Sequence, residues 1–351
     1  DAVPIAPPVG PLPDRPLHPH EVVAHARGVA ARRPELRVDL PRESCLGQPL
    51  VVIETGRPAG PAVSVARRSA WKPSILLSAR QHANEATSTQ AAFAWLERLL
   101  GDDDLLSRAN LIVHPVENPD GARLHAALCS LAPNHMHHAA RYTAFGADLQ
   151  TEPRVDGELI GESAIRRDAA LRWRPVLHLN DHGYPAHAWI RSQTGFLPRG
   201  FEDWSLPVGH LSILTVHPDD AATASRLRSV LAAATESALV GDDEIRARTV
   251  AQVRRRERYR PAGEDTFTFR SGLPFWLHHR PHDGPAATPG GLAASDDDPV
   301  LAPLATLITE VPDETVDGDA WRACVRMHAL ANEAVARSFL AWLRDGPSER
   351  P

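Results

Sequence analysis

The chain has 351 residues, of which 43% are hydrophobic and 23% are charged, and its formal net charge is -6. This composition is typical of a soluble globular protein with a sizeable core, and the negative charge gives no reason to expect nucleic acid or an anionic membrane as a partner. No apolar run approaches the roughly 20 residues that a transmembrane helix requires. We therefore expect no nucleic-acid or membrane partner, and we expect a monomer.

The three cysteines are scattered and odd in number, which indicates free thiols and favours a reducing compartment such as the cytoplasm. Because the chain begins at Asp1, secretion after removal of a signal peptide stays an open alternative. The first 16 residues are rich in proline and predict an extended arm. Residues 17–345 are predicted to form a single domain.

Strands and helices alternate along most of this domain. In chain order, the predicted elements are a helix at Glu21–Ala31, a strand pair at Arg37–Leu40 and Leu50–Glu54, a buried strand at Ser74–Ala79 with an amphipathic helix ending at Gly101, a strand at Leu111–Val116, a turn at Glu117–Gly121, a loop at Arg141–Gln150, a strand at Pro175–Leu179, helices within 220–258, a last strand at Leu304–Thr309 and a closing helix at Trp321–Leu343. This alternation predicts an α/β fold of three layers, α/β/α, with a central mixed, mostly parallel twisted sheet.

Four polar residues stand at or just beyond predicted strand ends: His82, Glu85, His182 and Glu310. The carboxyl ends of parallel strands share one edge of a sheet, so these groups can converge. Two histidines and a carboxylate that leave a fourth position open are typical of a catalytic zinc site, and a further carboxylate could act as a base. Taken alone, His82-x-x-Glu85 also fits a polar loop in which Glu85 favours the helix N-terminus.

The chain resembles the zinc carboxypeptidases of the carboxypeptidase A type from about Pro19 to about Leu343. The resemblance rests on the order and spacing of five short segments: His82-Ala83-Asn84-Glu85, Asn118-Pro119-Asp120-Gly121, Arg141 leading to Gly146-Ala147-Asp148-Leu149, Asp181-His182-Gly183, and Thr309-Glu310. It implies that residues 17–345 are one catalytic domain with the fold of that family.

The resemblance also implies roles for individual residues. His82, Glu85 and His182 would bind one zinc ion per chain, and Glu310 would be the general base for a zinc-activated water. Arg141 would contact the substrate and stabilise the oxyanion.

Two further residues flank the third predicted ligand. His178 is the competitor for that position, but it lies in mid-strand and is expected to be a buried structural histidine. Asp181 is expected to orient one of the metal ligands without binding the metal itself.

The predicted substrate site departs from the family pattern. Exopeptidases of this family carry Asn-Arg after the Gly-x-Asp segment, and the arginine binds the terminal carboxylate of the substrate. Here these positions hold Gln150 and Thr151, and Arg191 is the candidate substitute. The family's mobile tyrosine is unplaced, with Tyr259 as the provisional candidate. The predicted substrate-binding residues are Arg141, Gln150, Thr151, Tyr184 and Arg191.

Other histidine patterns predict no metal site. The segment from His20 to His25 resembles the zinc motif His-Glu-x-x-His. In that motif the two histidines are four residues apart on one face of a helix, whereas His20 and His25 are five apart. The cluster His135–His138 has no carboxylate or cysteine at ligand spacing and is expected to be a polar loop, and the same is expected of His278, His279 and His282. No Gly-x-Ser-x-Gly elbow, phosphate loop or Gly-x-Gly-x-x-Gly is present, so serine-hydrolase, nucleotide and Rossmann chemistry lack support.

Our hypothesis is a zinc-dependent hydrolase of amide or peptide bonds, a carboxypeptidase-like metallopeptidase that acts on a peptide or a small amide. One alternative is an amidase or deacylase of a small N-acylated or modified amino acid, or of a natural-product or peptidoglycan fragment. A second alternative is a non-catalytic relative that binds peptides.

Overall fold

The structure is a computed structural model, and it describes residues 11–55, 64–100, 103–186, 206–259, 267–279 and 303–346. Arg191 and His282, both considered in the sequence analysis, lie outside the described residues, as do residues 1–10 of the predicted arm. Among the helices described, none combines the length and the apolar composition of a bilayer-spanning segment. The three cysteines are free thiols, as predicted.

Eleven strands are present in the described part of the chain. They are β1 (Leu36–Glu43), β2 (Pro49–Thr55), β3 (Ser74–Ala79), β4 (Asn110–His114), β5 (Arg154–Val155), β6 (Glu158–Leu159), β7 (Leu177–Pro185), β8 (Leu211–Val216), β9 (Thr268–Arg270), β10 (Leu273–His279) and β11 (Ala305–Glu314). Nine of them form one sheet in the order β1-β2-β4-β3-β7-β11-β8-β10-β9, and β5 pairs with β6 in a separate hairpin.

The helices of the described residues are α1 (Pro19–Arg32), α2 (Val65–Trp71), α3 (Thr87–Leu100), α4 (Asp103–Arg108), α5 (Pro119–Leu131), α6 (Gly161–Trp173), α7 (Ala221–Val240), α8 (Asp243–Tyr259) and α9 (Gly318–Asp345). Short 3-10 turns cover His138–Arg141 and Leu149–Thr151.

The centre of the nine-stranded sheet is parallel. Strands β4, β3, β7 and β11 run in the same direction, and β8 is antiparallel to β11 but parallel to β10. The outer strands β1, β2 and β9 pair in antiparallel fashion. The predicted α/β class, with a mixed sheet that is mostly parallel in the middle, is confirmed.

Alternating apolar side chains along the strands form cores on both faces of the sheet. Leu50 and Val52 of β2 pack in a cluster with Trp173 of α6. Val51 and Ile53 belong instead to the main cluster, which also includes apolar residues of α1, α3, α7 and α9. Because neighbouring residues of a strand point to opposite faces, this division places helices on both sides of the sheet.

Two strands extend further than the sequence analysis predicted. Strand β7 continues from Leu177 to Pro185, and β11 continues to Glu314, because the two strands remain paired in parallel over this extra length. Therefore, His182 and Glu310 lie within strands and not after them. Strands β8 and β10 were not predicted at all.

The predicted turn Glu117–Gly121 is the start of a helix. Asn118 is the N-cap of α5, its side chain accepts a hydrogen bond from the Gly121 amide, and Pro119 occupies the first helical turn. Proline fits this position because the missing N–H has no partner in the first turn of a helix.

Candidate metal centre

The turn after β3 places two of the predicted ligands side by side. The turn begins at Arg80, whose φ of 53° is left-handed and unusual for a residue with a side chain. Its buried guanidinium donates from Nε to the Ala83 carbonyl and from Nη1 to the Leu17 carbonyl, each at 2.9 Å. Together with the bond from the Glu85 amide to the His82 carbonyl, these contacts hold the turn in shape.

The third predicted ligand comes from the neighbouring strand β7. His82 Nδ1 lies 2.8 Å from Glu85 Oε1, and His182 Nδ1 lies 3.0 Å from Glu85 Oε2 and 3.1 Å from His82 Nδ1. All three side chains are buried. The structure therefore brings together one ligand atom from each of the three residues, in a group able to hold a metal ion.

Two polar residues bind the outer nitrogens of the histidines. Asp148 Oδ1 is 3.2 Å from His82 Nε2, and Asn180 Nδ2 is 2.9 Å from His182 Nε2. Contacts of this kind fix the ring orientation of metal-binding histidines. Neither residue was assigned a role from the sequence. Asn180 could have been found from its position two residues before His182 on one strand, since such residues share a face.

Arg141 lies beside the three predicted ligands, at the end of a 3-10 turn. Its Nη1 is 2.9 Å from His82 Nδ1 and 3.2 Å from Glu85 Oε1, while its Nε donates to Asp148 Oδ2 at 3.0 Å. The predicted oxyanion-binding residue therefore stands within hydrogen-bond distance of the predicted metal ligands.

Glu310 stands opposite His182 in the pairing of β11 with β7 and lines the same cavity. Burial and the negative charge of Glu85 raise the pKa of Glu310 well above its usual value, although the Arg141 guanidinium acts in the opposite direction. The structure therefore places the predicted general base next to the predicted ligand set.

The three predicted ligands shift one another's pKa values. Burial acts to raise the pKa of Glu85, but the adjacent His82 and His182 outweigh burial and lower it. Burial also acts to lower the pKa of His82, but Glu85 and Asp148 outweigh it and raise the pKa. For His182, burial dominates and lowers the pKa. An ionised Glu85 between two histidines is well suited to bind a cation.

The predicted ligands and Glu310 line a cavity of about 380 Å³. Gln150 and Tyr184 also line it, and the Tyr184 hydroxyl donates to the Gly209 carbonyl at 2.6 Å. Thr151 does not line this cavity: it is exposed, and its hydroxyl donates to the Asp148 carbonyl at 2.8 Å. Tyr259 lies at the end of α8 and is not part of the lining either.

Asp181 contacts other residues than predicted. Its carboxylate accepts hydrogen bonds from Thr309 Oγ1 at 2.8 Å and from Asn332 Nδ2 of α9 at 3.0 Å. It is thus directed to the helix side of the sheet, and Asn180 contacts His182 instead. His178 is a buried mid-strand histidine, as predicted, and contacts Ser78 Oγ at 3.1 Å.

Among the described residues, the His135–His138 cluster and the pair His278 and His279 belong to no group with metal-ligand spacing. His278 and His279 lie in strand β10, so the polar loop predicted there is wrong for these two residues. His137 Nε2 contacts the Ala132 carbonyl at 2.8 Å, and His279 Nε2 contacts the Pro218 carbonyl at 2.9 Å. In the described chain, the other group with suitable spacing is Cys45, Asp120 and Glu162. Glu162 in that group accepts a hydrogen bond from the Cys45 amide.

Comparison with known proteins identifies the family of the N-terminal part of the chain. The family model described as zinc carboxypeptidase matches residues 22–152, which include His82, Glu85 and Arg141. This segment matches the zinc carboxypeptidase family. The resemblance noted in the sequence is thereby confirmed. His182 and Glu310 lie beyond the matched segment, so their roles depend on the geometry of the site.

Solved structures of carboxypeptidases share the fold over most of the chain. The metallo-carboxypeptidase from Burkholderia cenocepacia is 16% identical with a TM-score of 0.53, and the match covers 92% of this chain and 70% of that one. The carboxypeptidase A from Helicoverpa armigera is 15% identical with a TM-score of 0.53, covering 92% and 74%. At these identities the likeness concerns the fold. No match was found among curated protein sequences.

Proposed function

We propose that the chain is a zinc-dependent hydrolase of amide or peptide bonds, a carboxypeptidase-like metallopeptidase. The observation that supports this function is the convergence of His82, Glu85 and His182 in the cavity that Glu310 and Arg141 also reach. Zinc sites of hydrolytic enzymes combine three such ligands with a position left for water or substrate.

The donor set fits one zinc ion. Two imidazole nitrogens and a carboxylate oxygen suit zinc, and the three atoms already lie within 3.1 Å of their neighbours. His82 and His182 each have a partner on the outer nitrogen, which leaves Nδ1 for the metal. When bound, zinc supplies a Lewis acid that polarises the substrate carbonyl and makes water more acidic.

The protein side chains carry the proton and the developing charge. Glu310 accepts a proton from the attacking water and passes it to the leaving nitrogen, which lets one carboxyl group act first as base and then as acid. Arg141 donates hydrogen bonds to the oxygen that becomes negative during attack. Asp148 holds both Arg141 and His82, so one carboxylate positions two members of the site.

A second candidate function is that of an amidase or deacylase of a small N-acylated or modified amino acid. It is favoured by the neutral Gln150 in the cavity lining, together with the position of Thr151 outside it. A free terminal carboxylate is normally held by a bidentate arginine. Arg141 is the only arginine among the described residues that line this cavity, and it is bonded to Asp148 and Glu85.

The test combines metal content with hydrolysis for wild type and Glu310→Gln. The substrates are peptides with a free C-terminus, their C-terminal amides, and N-acylated amino acids. We expect about one zinc per chain in both proteins and loss of hydrolysis in Glu310→Gln. The matched control is Glu54→Gln, another buried glutamate outside the cavity, which should keep its activity.

The proposed function is wrong if wild type binds no zinc, or if Glu310→Gln hydrolyses the substrates as fast as wild type. Cleavage of free C-termini alone would favour a carboxypeptidase. Equal or faster cleavage of the amidated or N-acylated substrates would favour the amidase.

A further inference from the structure

Glu314 is a buried carboxylate in the cavity with no assigned role. It is the last residue of β11, four positions after Glu310, and it is 4% exposed. Its Oε1 accepts a hydrogen bond from Asn84 Nδ2 at 2.7 Å, and Asn84 lies between the predicted ligands His82 and Glu85. This bond fixes the carboxylate beside the metal-binding turn.

The second oxygen of Glu314 has no protein partner. Oε2 is buried and has no hydrogen-bond partner among the described residues. A buried acceptor without a partner is rare, because its desolvation is not repaid. Burial and the charges of Glu85 and Asp313 raise the pKa of Glu314 well above its usual value. An oxygen buried without a protein partner is expected of a carboxylate whose partner is supplied by a ligand, and a cationic partner would favour the ionised form of Glu314.

The described cavity lining has an excess of negative charge. Its carboxylates are Glu85, Asp148, Glu310 and Glu314, and its one arginine is Arg141. Arg141 pairs with Asp148 at 3.0 Å. A bound zinc ion would balance two further carboxylates, those of Glu85 and Glu310. Glu314 then remains as the acidic group of the lining without a counter-charge.

An arginine on the other side of Glu314 does not supply this counter-charge. Arg15 lines a second cavity of about 230 Å³, of which Glu314 also forms part of the wall. The Arg15 guanidinium instead donates two hydrogen bonds to the Glu21 carboxylate, at 2.7 and 2.9 Å.

We propose that the substrate carries an ammonium or guanidinium group and that Glu314 is the counter-ion that binds it. This inference builds on the proposed function, because it names the class of substrate for the same cavity: a cationic amide with no free carboxylate at this position. A hydrogen bond between two charged groups is about twice as strong as one between neutral groups. The loss of the Glu314 charge should therefore remove the preference for the cation.

The first experiment measures hydrolysis of two matched substrate series. The leaving-group series consists of the benzoylglycyl amides of diaminobutane, pentylamine and aminobutanoate, which are cationic, neutral and anionic. The acyl series consists of the nitroanilides of aminobutanoic, pentanoic and succinic acids. In at least one of the two series, we expect kcat/KM for the cationic member to exceed kcat/KM for the neutral member by at least about tenfold.

The second experiment measures binding without hydrolysis. Calorimetry with pentylamine, pentanol and pentanoate, which are cationic, neutral and anionic near neutral pH, is carried out on the zinc-loaded wild type, on Glu314→Gln and on the control Glu54→Gln. Glutamine keeps an acceptor for Asn84 but removes the charge. We expect the cationic preference to fall to within about twofold in Glu314→Gln and to be retained in the control.

The outcomes separate this inference from the proposed function. If wild type binds and cleaves the neutral or anionic members as well as the cationic one, the counter-ion role is wrong. It is also wrong if Glu314→Gln keeps the preference. The wild-type series decides the question even where the variant does not fold. If the cation binds selectively but nothing is cleaved, Glu314 is a cation-binding residue and the hydrolase function fails.

Discussion

The Asp148 carboxylate contacts both a predicted metal ligand, His82, and the predicted oxyanion-binding residue, Arg141. Its Oδ1 lies against His82 Nε2 and its Oδ2 accepts from Arg141 Nε. Burial acts to raise the pKa of Asp148, but the neighbouring His82 and Arg141 outweigh burial and lower it. Asp148 is therefore a charged acceptor that orients both neighbours.

We predict that Asp148→Asn weakens zinc binding by about 10–100-fold, the usual effect of removing a group that orients a metal ligand. Competition against a chromogenic chelator measures the affinity. The control is Asp168→Asn, an exposed aspartate on α6 that pairs with Arg42, for which we expect no change. Equal zinc affinity in Asp148→Asn and wild type would contradict the role given to Asp148.

At the scale of single residues, the sequence predicted the groups whose spacing carries information. His82 and Glu85 are three apart in one turn, and His182 and Glu310 follow apolar runs. The roles of Asp148, Asn180 and Glu314 were not predicted. Their partners lie on other elements, and the direction of a side chain depends on the pairing of strands. The same reason explains why Asp181, next to His182, contacts the opposite face.

Between elements, a buried ion pair fixes α6 to the loop after β4. Glu117 is fully buried, and it accepts from Arg166 Nε at 3.2 Å and contacts His114 Nδ1 at 3.1 Å. Burial acts to raise the pKa of Glu117, but the Arg166 charge and the His114 contact outweigh burial and lower it below 4.5. Arg166 also donates to Gln81, in the turn that carries His82.

We predict that Glu117→Gln lowers the free energy of unfolding at pH 7 by about 3–5 kcal/mol, because the buried Arg166 loses the negative charge of Glu117. Since the folded-state pKa is depressed, the wild-type contribution is present above pH 4.5 and is lost as the pH falls below that value. The variant should lack this acid-induced loss. Urea unfolding between pH 3 and pH 7 measures both effects.

The control is the exposed pair that α6 makes with β1. Asp168→Asn removes the partner of Arg42, whose side chain is 40% exposed, and we expect a loss of less than about 1 kcal/mol. A similar loss for both variants would mean that the buried pair is no more important than a surface pair.

The predicted elements were correct where the local pattern was strong. Strand β3 has the predicted bounds, and helices α7 and α8 occupy the segment 220–258 that was predicted to be mostly helical. Strands β8 and β10 were missed because they are stabilised by pairing with distant partners: Leu211 of β8 stands opposite Glu310 of β11. Such non-local pairing has no local signal in the sequence.

For the molecule as a whole, a bound metal ion would link the turn after β3 to strand β7. A ligand that binds only the folded state stabilises it by mass action, by about 2.7 kcal/mol at a free concentration 100 times the dissociation constant. We predict that zinc raises the midpoint of thermal unfolding of the metal-free protein and that a chelator reverses this change.

The zinc-dependent change in the midpoint of thermal unfolding is compared between two variants, His182→Ala and His135→Ala. The second variant removes an exposed histidine outside the site. Zinc should stabilise the second variant as much as wild type and should leave the first unchanged. The same zinc-dependent rise in all three proteins would place the metal elsewhere.

The position of the site within the sheet determines how it responds to local opening. All residues of β3, β7 and β11 are buried, and these strands lie at the centre, whereas β1 and β9 are the two edges. Backbone amides at the edges can exchange with deuterium through local fraying, but those of the central strands exchange only when larger cooperative units open. We therefore expect the backbone amides of the predicted ligand His182 and the predicted base Glu310 to be among the slowest to exchange in the described part of the chain, and we expect fraying at either edge to leave both residues in place.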